Sequence, residues 1–324
     1  MSHAAGNLAE SDTSGRRAVL LTGASGFVGQ HLQQQLPAVA ADVVTLTRPQ
    51  HDLLQPDTLV RLFQDRQQDI DAVYHLAAYA HVNQAQTKAL YATNVDGTAN
   101  LLQAAIAAGV RRFVYVSSIL ADPHYDQPRT AYGDAKHRAE MLLHDAHAAG
   151  DIEVVILRPV NVYGPGMKGN LMTLLRLLDR GLMPPLPRFA RPFSLIGVQD
   201  LCQAVVRATD CPVGSSAPVY ALSDGQVYDI KAIEQAMRSE LGKVQPAWAT
   251  PRAVFYLGAL ALEILGRLLP LNNSPGLRSY RALARNYTVD SRASQRDLGY
   301  NPQLTFYQAL PAIVAALNAR KNPQ

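Results

Sequence analysis

Tyr132 and Lys136 stand four residues apart in Tyr132-Gly133-Asp134-Ala135-Lys136. On a helix that spacing puts both side chains on one face. A phenol ordinarily keeps its proton up to a pKa of about 10, and a neighbouring cation favours the phenolate and lowers that value. A phenol tuned in this way can pass a proton to or from a substrate oxygen near neutral pH. Taken alone, the pair arises by chance in many chains. Its meaning rests on the elements around it.

Those elements alternate. Ala18-Val19-Leu20-Leu21 is a short apolar run of strand length, followed by Thr22-Gly23-Ala24-Ser25-Gly26-Phe27-Val28-Gly29 and a helical pattern from His31 to Leu36. Strand, glycine turn and helix together make a phosphate cradle: the helix N-terminus offers free N–H groups and the glycines let a pyrophosphate approach the backbone. The spacing is GxxGxxG rather than GxGxxG, and the plainer alternative is a tight turn with no ligand. Asp42 to Leu46 reads as a second strand. Where an Asp or Glu would hold the ribose 2′-hydroxyl of NAD, the chain has Thr47 and Arg48. A guanidinium there suits a 2′-phosphate, which leans the expectation toward NADP over NAD. Asp52-Leu53 follows, where the adenine would lie.

Asp71 to Ala78 reads as a further strand ending in the small residues Ala77 and Ala78, which leave room for a cofactor. His75 reads as a packed, hydrogen-bonded histidine rather than a ligand or base. A helical pattern runs from Tyr91 to Ala108 with Asn94 near its start. The strand Arg112 to Val116 ends at Ser117-Ser118, the Tyr132 helix runs to about Ala149, and the strand Val154 to Leu157 closes at Arg158-Pro159. This alternation predicts an α/β fold: a doubly wound parallel sheet, Rossmann-like, with a smaller and less regular C-terminal substrate-binding region. Ligands of such sheets sit beyond the carboxyl ends of the strands, where Gly23, Ala77, Ser118 and Pro159 all fall. Residues 18–160 are expected to form the dinucleotide-binding domain, with a later strand returning to it, and 161–324 mainly the substrate side. Residues 1–17 are polar, without the apolar core of a signal peptide, and read as a disordered leader of a cytoplasmic protein.

The 324 residues are 48% hydrophobic and 17% charged, an ordinary globular composition. A net charge of +4, with no basic run, gives no reason to expect a nucleic-acid partner. The two cysteines, Cys202 and Cys211, form no CxxC or Cys/His cluster, so neither a disulfide scaffold nor a metal site is expected. Ala253 to Leu269 is strongly apolar but holds Glu263 and Arg267 and falls short of the roughly 20 residues of a membrane span. It reads as a buried or interface helix, with a membrane-surface helix as the minority reading. Helices are also expected at Leu171–Leu182, Val198–Thr209, Ile230–Leu241 and Thr305–Leu317, and a short strand at Val219–Leu222.

TGASGFVG at 22–29, HLAA at 75–78, NVDGT at 94–98, VSS at 116–118, YGDAK at 132–136, LRP at 157–159 and VYGPG at 162–166 come in the order of the extended short-chain dehydrogenase/reductase family (NAD-dependent epimerase/dehydratase). The sequence resembles that family from about Ala18 to Leu317. Within it, the chain looks most like bacterial UDP-hexose 4-epimerases and UDP-4-keto-sugar reductases. The resemblance implies that Tyr132 is the acid/base, Lys136 its tuner and a ribose ligand, and Ser118 the donor to the substrate oxygen. It implies a cofactor, NADP or NAD, held by Gly23, Ser25, Gly26, Phe27, Val28, Gly29, Arg48, Asp52, Leu53, Leu76, Ala77, Ala78, Asn94, Tyr132, Lys136, Pro159 and Val160. It further implies substrate contacts from Tyr79, Ser118, Asn161, Asn170, Leu171 and Arg191, a UDP-sugar substrate and a homodimer.

Three departures stand beside the likeness. Ser118 to Tyr132 is a shorter interval than the family usually shows, which alters the expected shape of the sugar pocket and offers Ser117 as the alternative to Ser118. Phe193 stands where sugar-nucleotide members often carry an Arg for the diphosphate, so either Arg191 or Arg188 compensates or the substrate lacks a diphosphate. The apolar 253–269 helix followed by Leu298-Gly-Tyr-Asn-Pro302 also looks like the hydroxysteroid dehydrogenase branch, which keeps a lipophilic alcohol as the alternative substrate. A non-catalytic dinucleotide-binding redox sensor is the alternative from outside enzymology.

Overall fold

A computed structural model of the protein describes residues 18–40, 42–46, 50–65, 70–79, 87–125, 129–188, 192–268 and 287–319. The expected leader, Arg48 and Arg191 lie outside the described residues. The strands are β1 (Ala18–Thr22), β2 (Val43–Thr45), β3 (Ile70–His75), β4 (Arg112–Val116), β5 (Glu153–Pro159), β6 (Asn161–Tyr163), β7 (Leu195–Gly197) and β8 (Val219–Leu222). Six of them form one sheet in the order β2-β1-β3-β4-β5-β8, and every neighbouring pair is parallel. β6 and β7 form a separate parallel pair. The later strand expected to return to the sheet is β8, which completes its edge beside β5.

The helices are α1 (Phe27–Gln35), α2 (Pro56–Gln64), α3 (Thr87–Tyr91), α4 (Gly97–Ala107), α5 (Ala131–Ala148), α6 (Asn170–Asp179), α7 (Val198–Arg207), α8 (Ile230–Glu240), α9 (Arg252–Leu268), α10 (Arg292–Leu298) and α11 (Phe306–Ala319). A strand buried on both faces sends alternate side chains into two different layers, so it is apolar along its whole length. Val19, Leu21, Val114 and Val155 enter the layer holding Leu32 of α1, Leu201 of α7 and Leu298 of α10. Leu20, Val73, Phe113 and Val154 enter the opposite layer, with Leu59 of α2, Leu101 of α4 and Leu143 of α5. A third core joins α6, α8 and α11 through Leu175, Ile233 and Ile313.

Two local features depart from the sequence reading. The helix expected from Tyr91 begins at Thr87, and Ala92–Asp96 is a π-helical turn between α3 and α4 with Asn94 inside it. Such wide turns are rare and concentrate near functional sites. The second departure is α9. Phe255 packs on the third core, but Val254, Leu257 and Ile264 are exposed, so the expected burial holds for one face only. Among the described residues no helix is long and apolar enough to cross a membrane.

Candidate active site

The sheet order reverses at β1: β2 lies on one side of it and β3 on the other. That switch point opens a crevice beyond the carboxyl ends of β1 and β3. Thr22 ends β1, and Gly23 turns the chain with φ +75, where a Cβ would stand 2.7 Å from the Ala77 backbone nitrogen. Gly29 is constrained more tightly, since a Cβ there would fall 2.1 Å from the Gly23 carbonyl oxygen. Only glycine lets helix and turn pack at this distance. Gly26 is the N-cap of α1, with no side-chain cap bond and no acidic residue in the first turn. An uncapped, acid-free helix start beside glycine backbone is what a pyrophosphate needs, so these residues fit a dinucleotide. Ser25 is exposed, and Gly26, Phe27 and Val28 are half-buried around the same turn.

A relay of hydrogen bonds fixes the far wall of the crevice. Thr98 Oγ1 donates to the Asn94 carbonyl (2.8 Å), so it must accept from His75 Nε2 (2.9 Å). His75 Nδ1 is then the acceptor, taking the Thr22 hydroxyl (2.7 Å), and Thr22 Oγ1 in turn accepts the Ala77 N–H (3.1 Å). Burial, with the Lys136 charge adding to it, pulls His75 down to about 3, so the ring is neutral. The reading of His75 as a packed histidine agrees with this arrangement. Asn94 is placed differently from the cofactor contact that the resemblance implies. Its side chain is committed to the backbone of Tyr79, accepting from the N–H (2.6 Å) and donating to the carbonyl (3.0 Å). It therefore shapes the Leu76–Tyr79 segment rather than reaching out with its amide.

Ser118, Tyr132 and Lys136 converge beyond β4. Thr130 caps α5 by accepting the Gly133 N–H (3.0 Å), which sets Tyr132 in the first turn and Lys136 one turn on. Ser118 caps the short turn Ile119–Ala121, its Oγ accepting the Leu120 N–H (3.2 Å). Burial pushes the Tyr132 phenol up to about 12, and a hydrogen bond with the Ser118 hydroxyl pulls it back in part. The expected lowering of Tyr132 by Lys136 is thus corrected. Lys136 Nζ donates to the Val116 carbonyl (2.8 Å) and stands 4.5 Å over the Tyr115 ring. Burial brings that ammonium down to about 7, with Glu140 opposing. A cation so weakened and turned toward a carbonyl does not outweigh the desolvation of the phenol. Tyr79, Tyr91, Val95 and Tyr132 pack together on Leu90 and Ala135, so Tyr79 shares the surroundings of Tyr132.

Beneath these groups lies a buried ionic cluster that the sequence reading did not assign. Glu140, 1% exposed, accepts from Ser117 Oγ (2.5 Å) and from Arg158 Nε (3.0 Å) and Nη2 (2.6 Å). Arg158 Nη1 also holds Asp122 (2.9 Å). Ser117 is therefore committed to Glu140, and Ser118 is the serine beside Tyr132. The signal available was Glu140 at i+4 from Lys136 and i+8 from Tyr132, on one helix face.

The remaining expected residues divide. Leu76, Ala77, Pro159 and Val160 lie just at or beyond the ends of β3 and β5. Leu53 packs against Gly97, and its carbonyl accepts from Asn100 (2.8 Å). Asp52 accepts the Leu54 N–H (3.0 Å). Asn161 is exposed and donates to the Tyr287 hydroxyl. Asn170 is exposed at the start of α6, whereas the Leu171 side chain is spent on the third core, which leaves its backbone for any ligand. Phe193 is buried and pairs through its backbone with Tyr228, while Arg188 is exposed with its carbonyl accepting from Arg252.

Residues 19–220 match the model of the NAD dependent epimerase/dehydratase family. UDP-glucose 4-epimerase of Vibrio cholerae is 29% identical, the alignment covering 93% of this chain and 97% of that one. GDP-6-deoxy-D-mannose reductase of Pseudomonas aeruginosa is 28% identical over the same shares. The solved structure of RMD from Pseudomonas aeruginosa complexed with NADPH superposes with a TM-score of 0.72 at 25% identity, covering 94% of this chain and all of that one. With a cradle for a dinucleotide at the switch point and a family match over more than half its length, the chain belongs to the NAD-dependent epimerase/dehydratase family and is an NAD(P)-dependent enzyme of the extended short-chain dehydrogenase type.

Proposed function

We propose that the protein interconverts a secondary alcohol and a ketone on a nucleotide sugar, as a UDP-hexose 4-epimerase or a 4-keto-sugar reductase. The observation that carries the reading is the Ser118–Tyr132 hydroxyl pair at the end of β4, next to the crevice of the glycine turn. The names of the Vibrio and Pseudomonas relatives support the substrate class. When bound, the nicotinamide supplies the acceptor or donor of the hydride. The chain's own residues govern the proton and the charge. In oxidation Tyr132 Oη takes the hydroxyl proton of the substrate; in reduction it returns a proton to the same oxygen. Ser118 Oγ donates to that oxygen as charge grows on it. Lys136, one turn along α5 from Tyr132, donates to the Val116 carbonyl and braces the end of β4. Gly23, Gly26 and Gly29 hold the pyrophosphate, and Arg48, with no acid in its place, leans the cofactor toward NADP.

We assign 18–160 to the cofactor and 161–324, apart from β8, mainly to the substrate, in a cytoplasmic homodimer. A second reading, a lipophilic hydroxysteroid-type alcohol, draws on two observations: Phe193 is buried without offering a charge to a diphosphate, and α9 presents an apolar outer face. A thermal-shift series separates the two. UDP or UDP-glucose raising the Tm of the NAD(P)-loaded protein supports the nucleotide sugar. No shift, together with turnover of a hydroxysteroid, moves the assignment to the second reading.

A further inference from the structure

Ser118 sits on a segment with little of its own to hold it. It leaves β4 and opens the short turn Ile119–Ala121, and a turn of that length is marginal by itself. Ile119 and Ala121 are buried, but apolar contact is non-directional and does not aim a hydroxyl. The directed bonds come from Arg158 and Glu140. The register that pairs Val116 with Leu157 sets Ser117 beside Arg158, and the Ser117 N–H donates to the Leu157 carbonyl (2.7 Å). Arg158 meets Glu140 through paired bonds, Nε to Oε1 (3.0 Å) and Nη2 to Oε2 (2.6 Å). In that arrangement a guanidinium fixes direction as well as distance.

The same pair reaches both ends of the Ser118 segment. Glu140 Oε1 accepts the Ser117 hydroxyl (2.5 Å) at its start, and Arg158 Nη1 donates to Asp122 Oδ2 (2.9 Å) at its end. Glu140 stands on α5 with Tyr132, and Arg158 stands on β5. The two hydroxyls of the site are thereby referred to one frame: α5 carries Tyr132, and the pair anchored on α5 grips both flanks of Ser118. Stability alone does not call for this arrangement. The Glu140 side chain is 1% exposed and that of Arg158 16%, and a buried ion pair is often no more stabilising than apolar side chains of the same volume. What two charges of fixed geometry supply here is position.

We propose that Arg158 and Glu140 are positioning residues: they clamp the Ser117–Asp122 segment at both ends and hold the Ser118 hydroxyl against Tyr132. The inference rests on the reading of Ser118 and Tyr132 as the reacting pair, and Ser117, Asp122, Glu140 and Arg158 act through Ser118. Replacing Glu140 or Arg158 strands a buried charge and threatens the fold, so the test is made at the two ends. The Asp122 side chain is 31% exposed, and Asp122→Ala is expected to keep Tm within about 2 °C of wild type. Hydrogen exchange read by mass spectrometry should nevertheless run roughly tenfold faster over residues 117–125 in Asp122→Ala and in Ser117→Ala, with α5 and β5 unchanged. With UDP-glucose as the probe, both variants should lose roughly tenfold in kcat at unchanged KM and NAD(P)H affinity. Asp122→Asn keeps an acceptor for Arg158 and should regain most of that loss. In a Ser118→Ala background neither end variant should lower kcat further, because the clamp acts through that hydroxyl. Wild-type exchange in both end variants overturns the proposal. So does a kcat unchanged in both while Ser118→Ala lowers it, or a fall that persists in the Ser118→Ala background. A wild type inert toward UDP-glucose, or full turnover by Ser118→Ala and Tyr132→Phe, would count against the proposed function instead, and the exchange rates would then decide the clamp.

Discussion

Around Glu140 and around Asp224 the molecule buries a carboxylate among hydroxyl groups, and the two clusters end differently. At Asp224, Tyr228 donates to Oδ2 (2.6 Å) and itself accepts the Phe306 N–H (3.0 Å), while Tyr163 reaches the same oxygen (2.9 Å). Both phenols are 1% exposed, and burial followed by the Asp224 charge drives Tyr163 well above its ordinary range. The polar atoms of that cluster face one another, and the result is a brace between β6, the segment leading into α8 and the start of α11. At Glu140 the bonds run outward instead. Arg158 and Ser117 satisfy the carboxylate, Lys136 sits one turn up the helix, and above it Ser118 and the half-buried Tyr132 face the end of the sheet. A phenol raised by burial occurs in both places. What separates a candidate for chemistry from a brace is a hydroxyl with somewhere to send its proton.

Substitutions can break this contrast, and the largest effect belongs to Tyr132. Tyr132→Phe is expected to cut kcat by roughly 10²–10⁴-fold while Tm and NAD(P)H affinity stay put; a variant turning over at the wild-type rate would remove Tyr132 from the reaction. Arg158→Met leaves Glu140 buried without its cation, and urea unfolding should show a loss of about 3–5 kcal/mol. A stability unchanged by that substitution would mean the cluster is neutral or hydrated. Tyr163→Phe is the mirror of Tyr132→Phe: about 1–3 kcal/mol of stability lost with kcat retained. A fall in kcat with unaltered stability would erase the distinction drawn here.

The smallest effect is a slope. His75 is held at about 3 in the folded protein, below its ordinary 6.5, so the unfolded chain takes up that proton first. Its contribution is present above pH 6.5 and is lost as pH falls from 6.5 toward 3. Between pH 6.5 and about 5 wild type should lose stability more steeply than His75→Gln, by up to about 1.4 kcal/mol per pH unit. Parallel curves for the two proteins would count against a neutral His75 in the relay.

The alternation of strands and helices was legible because apolar runs and helical periods are local. The glycine turn was legible because Gly29 answers to the Gly23 carbonyl six residues back, whereas the Ala77 backbone that crowds Gly23 comes from another strand. Tyr132 and Ser118 could be picked out by type and position. The direction of Lys136 could not, because the Val116 carbonyl that accepts from it belongs to another element. The Glu140–Arg158 pair joins residues 18 apart on a helix and a strand, and no spacing rule links them. That the Leu171 side chain would be buried was not legible, because the core that absorbs it is built from α8 and α11, far along the chain. For α9 the apolar period was plain, but periodicity alone does not say whether a stripe turns inward or outward.

β8 has a consequence for how the molecule is made. It is the sixth strand of the sheet, yet it arrives only at Val219, after the chain has laid down β6, α6, β7 and α7. Until the ribosome has delivered Leu222, β5 presents bare amides and carbonyls along its outer side to whatever strand is nearby. A nascent chain stalled before that point would be prone to stick to its neighbours, and a shortened gene product ending there would be expected in inclusion bodies.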